Sequence, residues 1–206
     1  MVAPANLPRR VFDGYGYHCR SVSAFAEPRS PDELAAWFRY AREHDLTVAM
    51  RGAGRSYGDA ALNAGGLVFD TRGMTRVLAW DPATGVADIE PGVTIEQLWR
   101  TFLRDGYWPP VVPGTMFPTL AGCAAMNVHG KNNFRAGPWG DHILEVDLCT
   151  PGGAVITASR TENPDIFHAA IGGFGMLGAF TRLRLQLKRV HSGRVRVRRH
   201  HVRSLR

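Results

Sequence analysis

The sequence predicts an α+β domain. Helical patterns lie at irregular intervals between paired strand patterns, and no regular βαβ repeat is present, which argues against a doubly wound parallel sheet. The chain has 206 residues, of which 45% are apolar, so it can bury a hydrophobic core. Two stretches rich in glycine and other small residues interrupt these patterns, and they are the candidates for a ligand site.

The first predicted helix follows an irregular N-terminal segment. Residues 1–30 show no periodicity and are expected to lead into the domain as an arm, with residues 1–16 outside the domain itself. Ser30, Pro31 and Glu33 then form the capping signal of a helix. The apolar stripe of this helix consists of Leu34, Trp37, Phe38 and Ala41.

Hydrophobic periodicity places the remaining elements. Strands are predicted at residues 46–50, 67–70, 76–80, 86–90, 142–150, 154–158 and 181–188. Helices are predicted at 94–105, with Thr94 and Gln97 as a capping box, and from Asn163 through Ala170. Residues 107–110 are predicted as a rigid loop. Glu145 and Asp147 alternate with apolar residues and are expected on the solvent face of their strand.

The densest chemical signal directly follows the strand at 46–50. Its residues are Arg51, Gly52, Ala53, Gly54, Arg55, Ser56, Tyr57, Gly58 and Asp59. The glycines permit positive φ and bring backbone N–H groups close to a phosphate, while the hydroxyl groups and the arginines add donors and positive charge. No helix pattern follows, so the loop is not a Rossmann turn. Taken alone, it is equally compatible with an ordinary glycine-rich surface turn.

A second stretch of small residues occupies positions 112–133. Small side chains allow the backbone to pack against a flat ligand. The candidate binding residues here are Gly114, Thr115, Thr119, Leu120, Ala121, Gly122, Met126, Asn127, Val128 and His129. Residues 120–126 also fit a short buried helix, which is compatible with that role.

Together the two stretches resemble the FAD-binding domain of the vanillyl-alcohol-oxidase flavoproteins, also called the p-cresol-methylhydroxylase-type FAD domain. Three motifs are most similar to those of the decaprenylphosphoryl-β-D-ribose oxidases within that family. They are Gly54-Arg55-Ser56-Tyr57-Gly58-Asp59, Pro113-Gly114-Thr115 and His129-Gly130-Lys131-Asn132. The resemblance covers residues 17–188, and it implies two small β-subdomains flanked by helices with FAD between them.

The resemblance also implies a role for each stretch. The loop at 51–59 would surround the FAD pyrophosphate, and the second stretch would line the flavin. A glycine cluster at 172–178 would close the site, and the backbone at Phe180 would contact the cofactor. Arg55 stands where many relatives carry a histidine bonded to the flavin, so the FAD is expected to be non-covalent.

His129 and Lys131 are the catalytic candidates. His129 would orient the flavin or the substrate, and the ammonium group of Lys131 would face negative charge on either of them. Two departures from the family pattern leave the substrate open: Asn133 and Phe134 follow the His-Gly-Lys-Asn motif where histidine is usual, and Met126 replaces a common cysteine.

The expected function is the FAD-binding portion of an FAD-linked oxidoreductase. It would act on the CH–OH group of a sugar, including a lipid-linked sugar, or of another alcohol by hydride transfer to flavin. The alternatives are an alditol- or aldonolactone-type oxidase and a flavin-binding module without catalysis. A C-terminal substrate domain or a partner chain is expected to cover the flavin and supply the base. Residues 189–206 are then either a basic tail or the start of that domain.

Charge and cysteine content limit the remaining partners. The net charge is +7, but it is unevenly distributed. Residues 182–206 contain ten lysines and arginines and no aspartate or glutamate, whereas residues 1–181 are slightly acidic. This distribution argues against nucleic acid and leaves a weak indication of a membrane surface. Three cysteines at unrelated spacings indicate neither disulfides nor a metal site, and no secretory or membrane-spanning segment is visible, so we expect a cytoplasmic protein.

Overall fold

The computed structural model describes residues 7–202 and residue 204. Strands β1 to β11 span Arg9–Asp13, Arg20–Ala26, Val48–Arg51, Leu67–Asp70, Val77–Asp81, Val86–Ile89, Tyr107–Trp108, Ile143–Cys149, Val155–Ser159, Ala179–Gln186 and Lys188–Arg189. Helices α1 to α5 span Pro31–Glu43, Ile95–Phe102, Leu120–Ala125, Asn133–Ala136 and Pro164–Ala170. The α+β class is confirmed.

The first sheet has the strand order β1-β2-β4-β3. Strands β1 and β2 are antiparallel, whereas β2, β4 and β3 run parallel. Helix α1 covers one face, where Leu34 and Phe38 are buried with Leu67 and Phe69. Because β3 and β4 are parallel, the loop that leaves β3 begins at the same edge of the sheet as the end of β4.

The second sheet is antiparallel, with the order β5-β6-β10-β8-β9. Leu183, Leu185 and Leu187 point into its core, so the predicted alternation of β10 is confirmed. The helices α2, α3 and α5 pack on this sheet. Their buried residues include Leu98, Phe102, Leu120, Cys123 and Phe167. The described residues therefore contain two large sheets with separate cores, besides a two-stranded sheet of β7 and β11.

The capping residues act largely as the sequence predicts. The Ser30 hydroxyl accepts a hydrogen bond from the Glu33 backbone N–H at 3.2 Å, while the Glu33 carboxylate accepts from the backbone of Arg29 instead of completing the box at Ser30. In α2 the box is complete: Thr94 and Gln97 exchange bonds of 2.8 and 3.2 Å. Both helix starts are fixed by local sequence.

The expectation of an irregular N-terminal segment is wrong in one respect, because β1 and β2 lie within residues 1–30. Only Phe12 of β1 is fully buried, since this strand is at the edge of the sheet, and one buried residue gives no periodic signal. Residues 107–108 form β7 and pair with β11 from the far end of the chain instead of forming a loop. The boundaries at residues 16 and 188 stay predictions. Residues 1–6 of the predicted arm and 203, 205 and 206 of the predicted tail lie outside the described residues.

The acidic residues of β8 are not a plain solvent face. Arg182 of β10 donates to Asp147 at 2.7 Å, to Asp88 of β6 at 2.6 Å, and also to Glu145. The side chains are only 15–29% exposed, so the sequence expectation for Glu145 and Asp147 is corrected. This network joins the three central strands of the second sheet.

Residues 7–202 and 204 contain neither a membrane-spanning helix nor a metal-binding cluster. None of the helices there has the length and apolar character needed to cross a membrane. No group of three or more histidine, cysteine or acidic side chains is arranged to hold a metal ion.

Candidate functional site

A cavity of about 720 Å³ lies between the two sheets. One wall is the end of β3 and the loop after it, at Met50–Tyr57, with Ala60, Ala61 and Thr71. The opposite wall comes from the segment before α3, from α3 itself and from residues 126–129. The stretch 174–180 closes the end of the cavity. This volume is in the range of small-molecule and cofactor sites.

Arg51 holds the glycine loop from behind. Its guanidinium donates to the carbonyl oxygens of Ala61 at 3.0 Å and of Asp13 at 2.9 Å, so it joins the loop to β1. Gly54 has a φ of +64° and packs so closely on this guanidinium that a Cβ atom would collide with it. The second position of the loop is equally tight, because a Cβ on Gly52 would collide with the Thr119 side chain. Gly54 is therefore required by its φ and by packing, and Gly52 by packing alone.

The loop presents backbone donors that the described protein does not use. The N–H groups of Ala53, Gly54, Arg55 and Ser56 donate to no acceptor within the described residues, while the carbonyl of Ser56 accepts from Tyr15 at 3.0 Å. Successive free N–H groups of this kind form an anion-binding concavity. The loop can therefore hold a phosphate group by its backbone.

Helix α3 forms the floor opposite the loop. Thr119 caps it and accepts from the Gly122 N–H at 3.3 Å. The carbonyls at its C-terminal end are occupied by the glycine cluster: Gly172 donates to Ala124 at 2.9 Å, and Phe174 donates to Ala125 at 3.0 Å. These bonds hold the segment 172–178 against the C-terminal end of α3, where it closes the cavity.

Asn127 fixes the turn that follows the floor. Its φ is +41°, and its side-chain oxygen accepts from the Gly140 N–H at 2.9 Å. The carbonyl of the next residue, Val128, accepts from the Trp139 N–H at 2.8 Å. The backbone of 127–129 is thereby held along the cavity wall.

The cavity opens to solvent at its rim. Arg55, Tyr57, Gly114 and His129 are exposed, although all four line the cavity. The Arg55 guanidinium carbon lies 5.5 Å from the ring centre of Tyr15 and 5.1 Å from that of Phe117. Arg55 therefore spans the rim between the glycine loop and the segment before α3.

The cavity wall is positive. Arg51 and Arg55 line it, and no aspartate or glutamate is among its described lining residues. Burial lowers the pKa of Arg51, and the nearby carboxylate of Asp70 partly opposes this effect. An arginine keeps its charge in such surroundings, so the cavity is suited to an anionic ligand.

Most of the predicted site residues meet at this cavity. Its wall includes Arg51, Gly52, Ala53, Gly54, Arg55, Ser56, Tyr57, Gly114, Thr115, Thr119, Ala121, Gly122, Met126, Asn127, Val128, His129 and Phe180. Gly58, Asp59, Leu120 and Lys131 do not line it. Leu120 is fully buried in the core and Lys131 is exposed outside the wall. The roles assigned to all of these residues stay predictions.

Sequence reasoning missed several lining residues. Tyr15 reaches the site through a β-bridge to Tyr57, and Met50 and Ala179 enter from strand ends. Phe174 lines the end of the cavity with a φ of +56°, within the glycine cluster 172–178 that was expected to close the site. The other three residues gave no local signal, since their contacts join distant parts of the chain.

The fold and the cavity together define a domain that holds a large anionic cofactor between two sheets. The sequence profile that defines the FAD binding domain matches residues 22–159. This match covers more than half of the chain, and the chain belongs to the FAD-binding-domain family. FAD is therefore the cofactor expected in this cavity. Its free backbone donors, its positive wall and its volume all fit a dinucleotide with a pyrophosphate.

Similar proteins are oxidoreductases of this family. The decaprenylphosphoryl-β-D-ribose oxidase of Mycolicibacterium smegmatis is 36% identical over 177 residues, which cover 84% of this chain and 38% of that protein. Cytokinin dehydrogenase 6 of Oryza sativa subsp. japonica is 34% identical over 80% of this chain and 33% of its own length. The solved structure of 6-hydroxy-D-nicotine oxidase from Arthrobacter nicotinovorans has a TM-score of 0.77 at 26% identity, over 92% of this chain and 44% of that one. The chain thus spans well under half the length of these proteins.

Proposed function

We propose that the chain binds FAD without a covalent bond and forms the cofactor-holding part of an FAD-dependent oxidoreductase. The observation that supports this most is the cavity bounded by the glycine loop. Among the described residues, no aspartate or glutamate lines this cavity and no acceptor binds the loop N–H groups at 53–56. In this proposal those N–H groups and the Arg51-braced backbone bind the pyrophosphate. The small residues of α3 leave room for the flavin.

A non-covalent bond is supported by the chemistry of the cavity wall. Attachment to a protein needs a nucleophilic side chain, and no cysteine is among the described lining residues. Cys123 is fully buried in the core, and burial raises the pKa of its thiol, which keeps it protonated and unreactive. Arg55 occupies the loop position at which the family resemblance implies a histidine in many relatives. His129 is the one histidine among the described lining residues.

The proposed reaction is oxidation of a CH–OH group to a carbonyl. When bound, FAD would supply the acceptor for the hydride that leaves the carbon, and the hydroxyl proton passes to a base. His129 lies exposed at the rim, where it can orient the alcohol. Lys131 follows two residues later outside the wall, and we propose that it faces the substrate once the cavity is covered.

The substrate is proposed to be a sugar or another alcohol, including a lipid-linked sugar. Support comes from the similar decaprenylphosphoryl-β-D-ribose oxidase and from a probable D-lactate dehydrogenase of Danio rerio, which is 29% identical. The names of the cytokinin dehydrogenase and the 6-hydroxy-D-nicotine oxidase point to other substrates. Oxidation of a cytokinin or of 6-hydroxy-D-nicotine is therefore the alternative to the proposed reaction. We also propose that a second domain or a partner chain covers the open rim.

The test is anaerobic reduction of the bound flavin by a substrate panel. The chain extended beyond Arg206 is loaded with FAD and mixed with sugar alcohols, polyprenyl-phosphate sugars, D-lactate, a cytokinin and 6-hydroxy-D-nicotine. Bleaching by one of the alcohols would support the proposed reaction class. Bleaching only by the cytokinin or by the nicotine derivative would contradict it.

A further inference from the structure

The guanidinium of Arg55 differs from the other arginines around the glycine loop. Arg51 donates to two carbonyl oxygens, and Arg72 binds both oxygens of Asp70 at 2.6–3.1 Å. Arg10 lies 3.5 Å from a carboxylate oxygen of Glu27. Arg55 has no hydrogen bond and no ion pair with any described residue, so all five of its N–H donors are available.

Aromatic rings hold this free cation in a defined place. Its guanidinium carbon is 5.5 Å from the centre of the Tyr15 ring and 5.1 Å from that of Phe117. Tyr15 is itself fixed by its backbone bond to Ser56 and by an edge contact to Tyr57, with 5.1 Å between the ring centres. Cation–π contacts position a guanidinium without using its hydrogen-bond donors.

Exposure separates the Arg55 guanidinium from Arg51. Both arginines line the cavity and border a smaller hollow of about 290 Å³ on the other side of the loop. Arg51 is half-buried behind the loop, where its guanidinium is bonded to two carbonyl oxygens, whereas the Arg55 side chain is exposed at the open rim. No carboxylate on the described cavity wall competes for the guanidinium.

We propose that the Arg55 guanidinium binds an oxyanion, either a phosphate or a carboxylate, on the substrate that FAD oxidises. This inference rests on the proposed function and narrows its substrate class to alcohols that also carry an acidic group. A planar guanidinium with free donors binds such groups through paired charge-assisted hydrogen bonds. Neutral alcohols gain nothing from this contact.

The test measures oxyanion binding by titration calorimetry at constant ionic strength, on the FAD-loaded chain and on the chain without FAD. The ligands are inorganic phosphate, D-lactate and neutral glycerol, so the two kinds of oxyanion are compared directly. The variants are Arg55→Gln, Arg55→Lys and the control Arg39→Gln. Arg39 is an exposed arginine of α1, and its substitution removes the same charge far from the cavity.

Saturable binding of phosphate or lactate to the unmodified chain, weakened about tenfold or more by Arg55→Gln and less by Arg55→Lys, is the expected result. Arg39→Gln should leave the affinity within about twofold. Absence of saturable binding, or binding that Arg55→Gln does not change, would overturn the proposal.

Flavin retention is measured on every variant before the titration. If Arg55→Gln loses FAD itself, the residue serves the cofactor and the proposal is wrong. If the unmodified chain retains no FAD, the proposed function fails at that step. If FAD is retained but Arg55→Gln leaves the oxyanion affinity of the loaded chain unchanged, this proposal alone fails, so the two failures are distinguishable.

Discussion

At the scale of single residues, the site depends on how closely Gly54 packs on Arg51. The positive φ of Gly54 and the lack of room for a Cβ are two independent constraints at the same position. Arg51 in turn anchors the loop by its bonds to Ala61 and Asp13. The geometry of the free N–H groups therefore depends on Arg51 and Gly54. The Arg51 side chain can do this without contacting the cofactor itself.

Gly54→Ala should weaken FAD binding about tenfold or more. A left-handed non-glycine residue costs roughly 1–2 kcal/mol, and 1.4 kcal/mol corresponds to a tenfold change in affinity. The matched control is Gly152→Ala in the β8–β9 turn, where the nearest neighbour of an added Cβ is the Thr150 hydroxyl at an ordinary 3.6 Å. Fluorescence titration with FAD measures both. Equal affinities for the two variants would show that the loop does not bind the cofactor as described.

Whether FAD is attached covalently also depends on individual residues. With Arg55 in the loop and no cysteine among the described lining residues, we expect denaturation to release all of the flavin. The chain is loaded with FAD, precipitated with acid and separated from the supernatant. Flavin colour that stays with the precipitated polypeptide would contradict the non-covalent assignment and would direct attention to His129.

At the scale of elements, the second sheet is held together by Arg182 as well as by its apolar core. Burial raises the pKa of the Asp147 carboxyl, but hydrogen bonds from Arg182 and Thr157 more than offset this, so the net pKa lies below the usual 3.8. Asp147 is therefore charged in the folded state. Its contribution to stability is complete above pH 3.8 and is lost as the pH falls through the lower folded-state pKa.

Arg182→Met should lower the free energy of unfolding by about 2 kcal/mol at neutral pH, because it leaves Glu145 and Asp147 without their cation and Asp88 with only the 3.4 Å contact to Arg184. Arg184→Gln is the control. Arg184 is 45% exposed and makes a single 3.4 Å contact to Asp88, so its loss should cost less than about 0.5 kcal/mol. Urea unfolding of the three proteins measures both changes.

The same variants test the sign of the pH dependence. The unmodified chain should lose stability as the pH falls below about 3.8, whereas Arg182→Met should lose less, because the Asp147 pKa is then no longer lowered by Arg182. Identical slopes of unfolding free energy against pH would show that the network does not set the Asp147 pKa.

Local signals in the sequence predicted some elements better than others. Helices α1 and α2 were predicted because their caps and apolar stripes lie within a few residues. The edge strand β1 and the β7–β11 pair were missed, since one has a single fully buried residue and the other joins segments about 80 residues apart. The Arg182 network was missed for the same reason: Asp88, Glu145 and Asp147 are distant from it in sequence.

The candidate site was more predictable than the sheets. Its glycines stand in two short runs, because close backbone approach requires them there. What the sequence could not show is which side chains turn inward. Lys131 and Leu120 belong to the same run as His129, but one is exposed outside the wall and the other is packed in the core. The contribution of Tyr15 depends on a long-range bridge.

At the scale of the whole molecule, the open rim governs what these residues can do by themselves. His129, Arg55 and Tyr57 are exposed, so water reaches the cavity and no described group encloses a substrate. Positioning of reactants is worth on the order of 7–11 kcal/mol of an activation barrier. A covered site is therefore needed for efficient turnover.

We predict that residues 1–206, loaded with FAD, reduce their flavin negligibly with any alcohol, including D-lactate and polyprenyl-phosphate sugars. A small chemical reductant such as dithionite should still bleach the flavin fully, because the rim is open. Stopped-flow absorbance under nitrogen follows both reactions. If an alcohol bleaches the short chain as fast as it bleaches the extended chain, these residues hold the complete active site.

The most direct test of the account is whether the purified chain holds FAD in the cavity. The chain is incubated with FAD, passed through a gel-filtration column, and assayed for flavin and protein in the same fraction. We expect about one FAD per chain, with a dissociation constant of about 1 µM or below. Complete separation of flavin from protein, even after incubation with about 1 mM FAD, would contradict it.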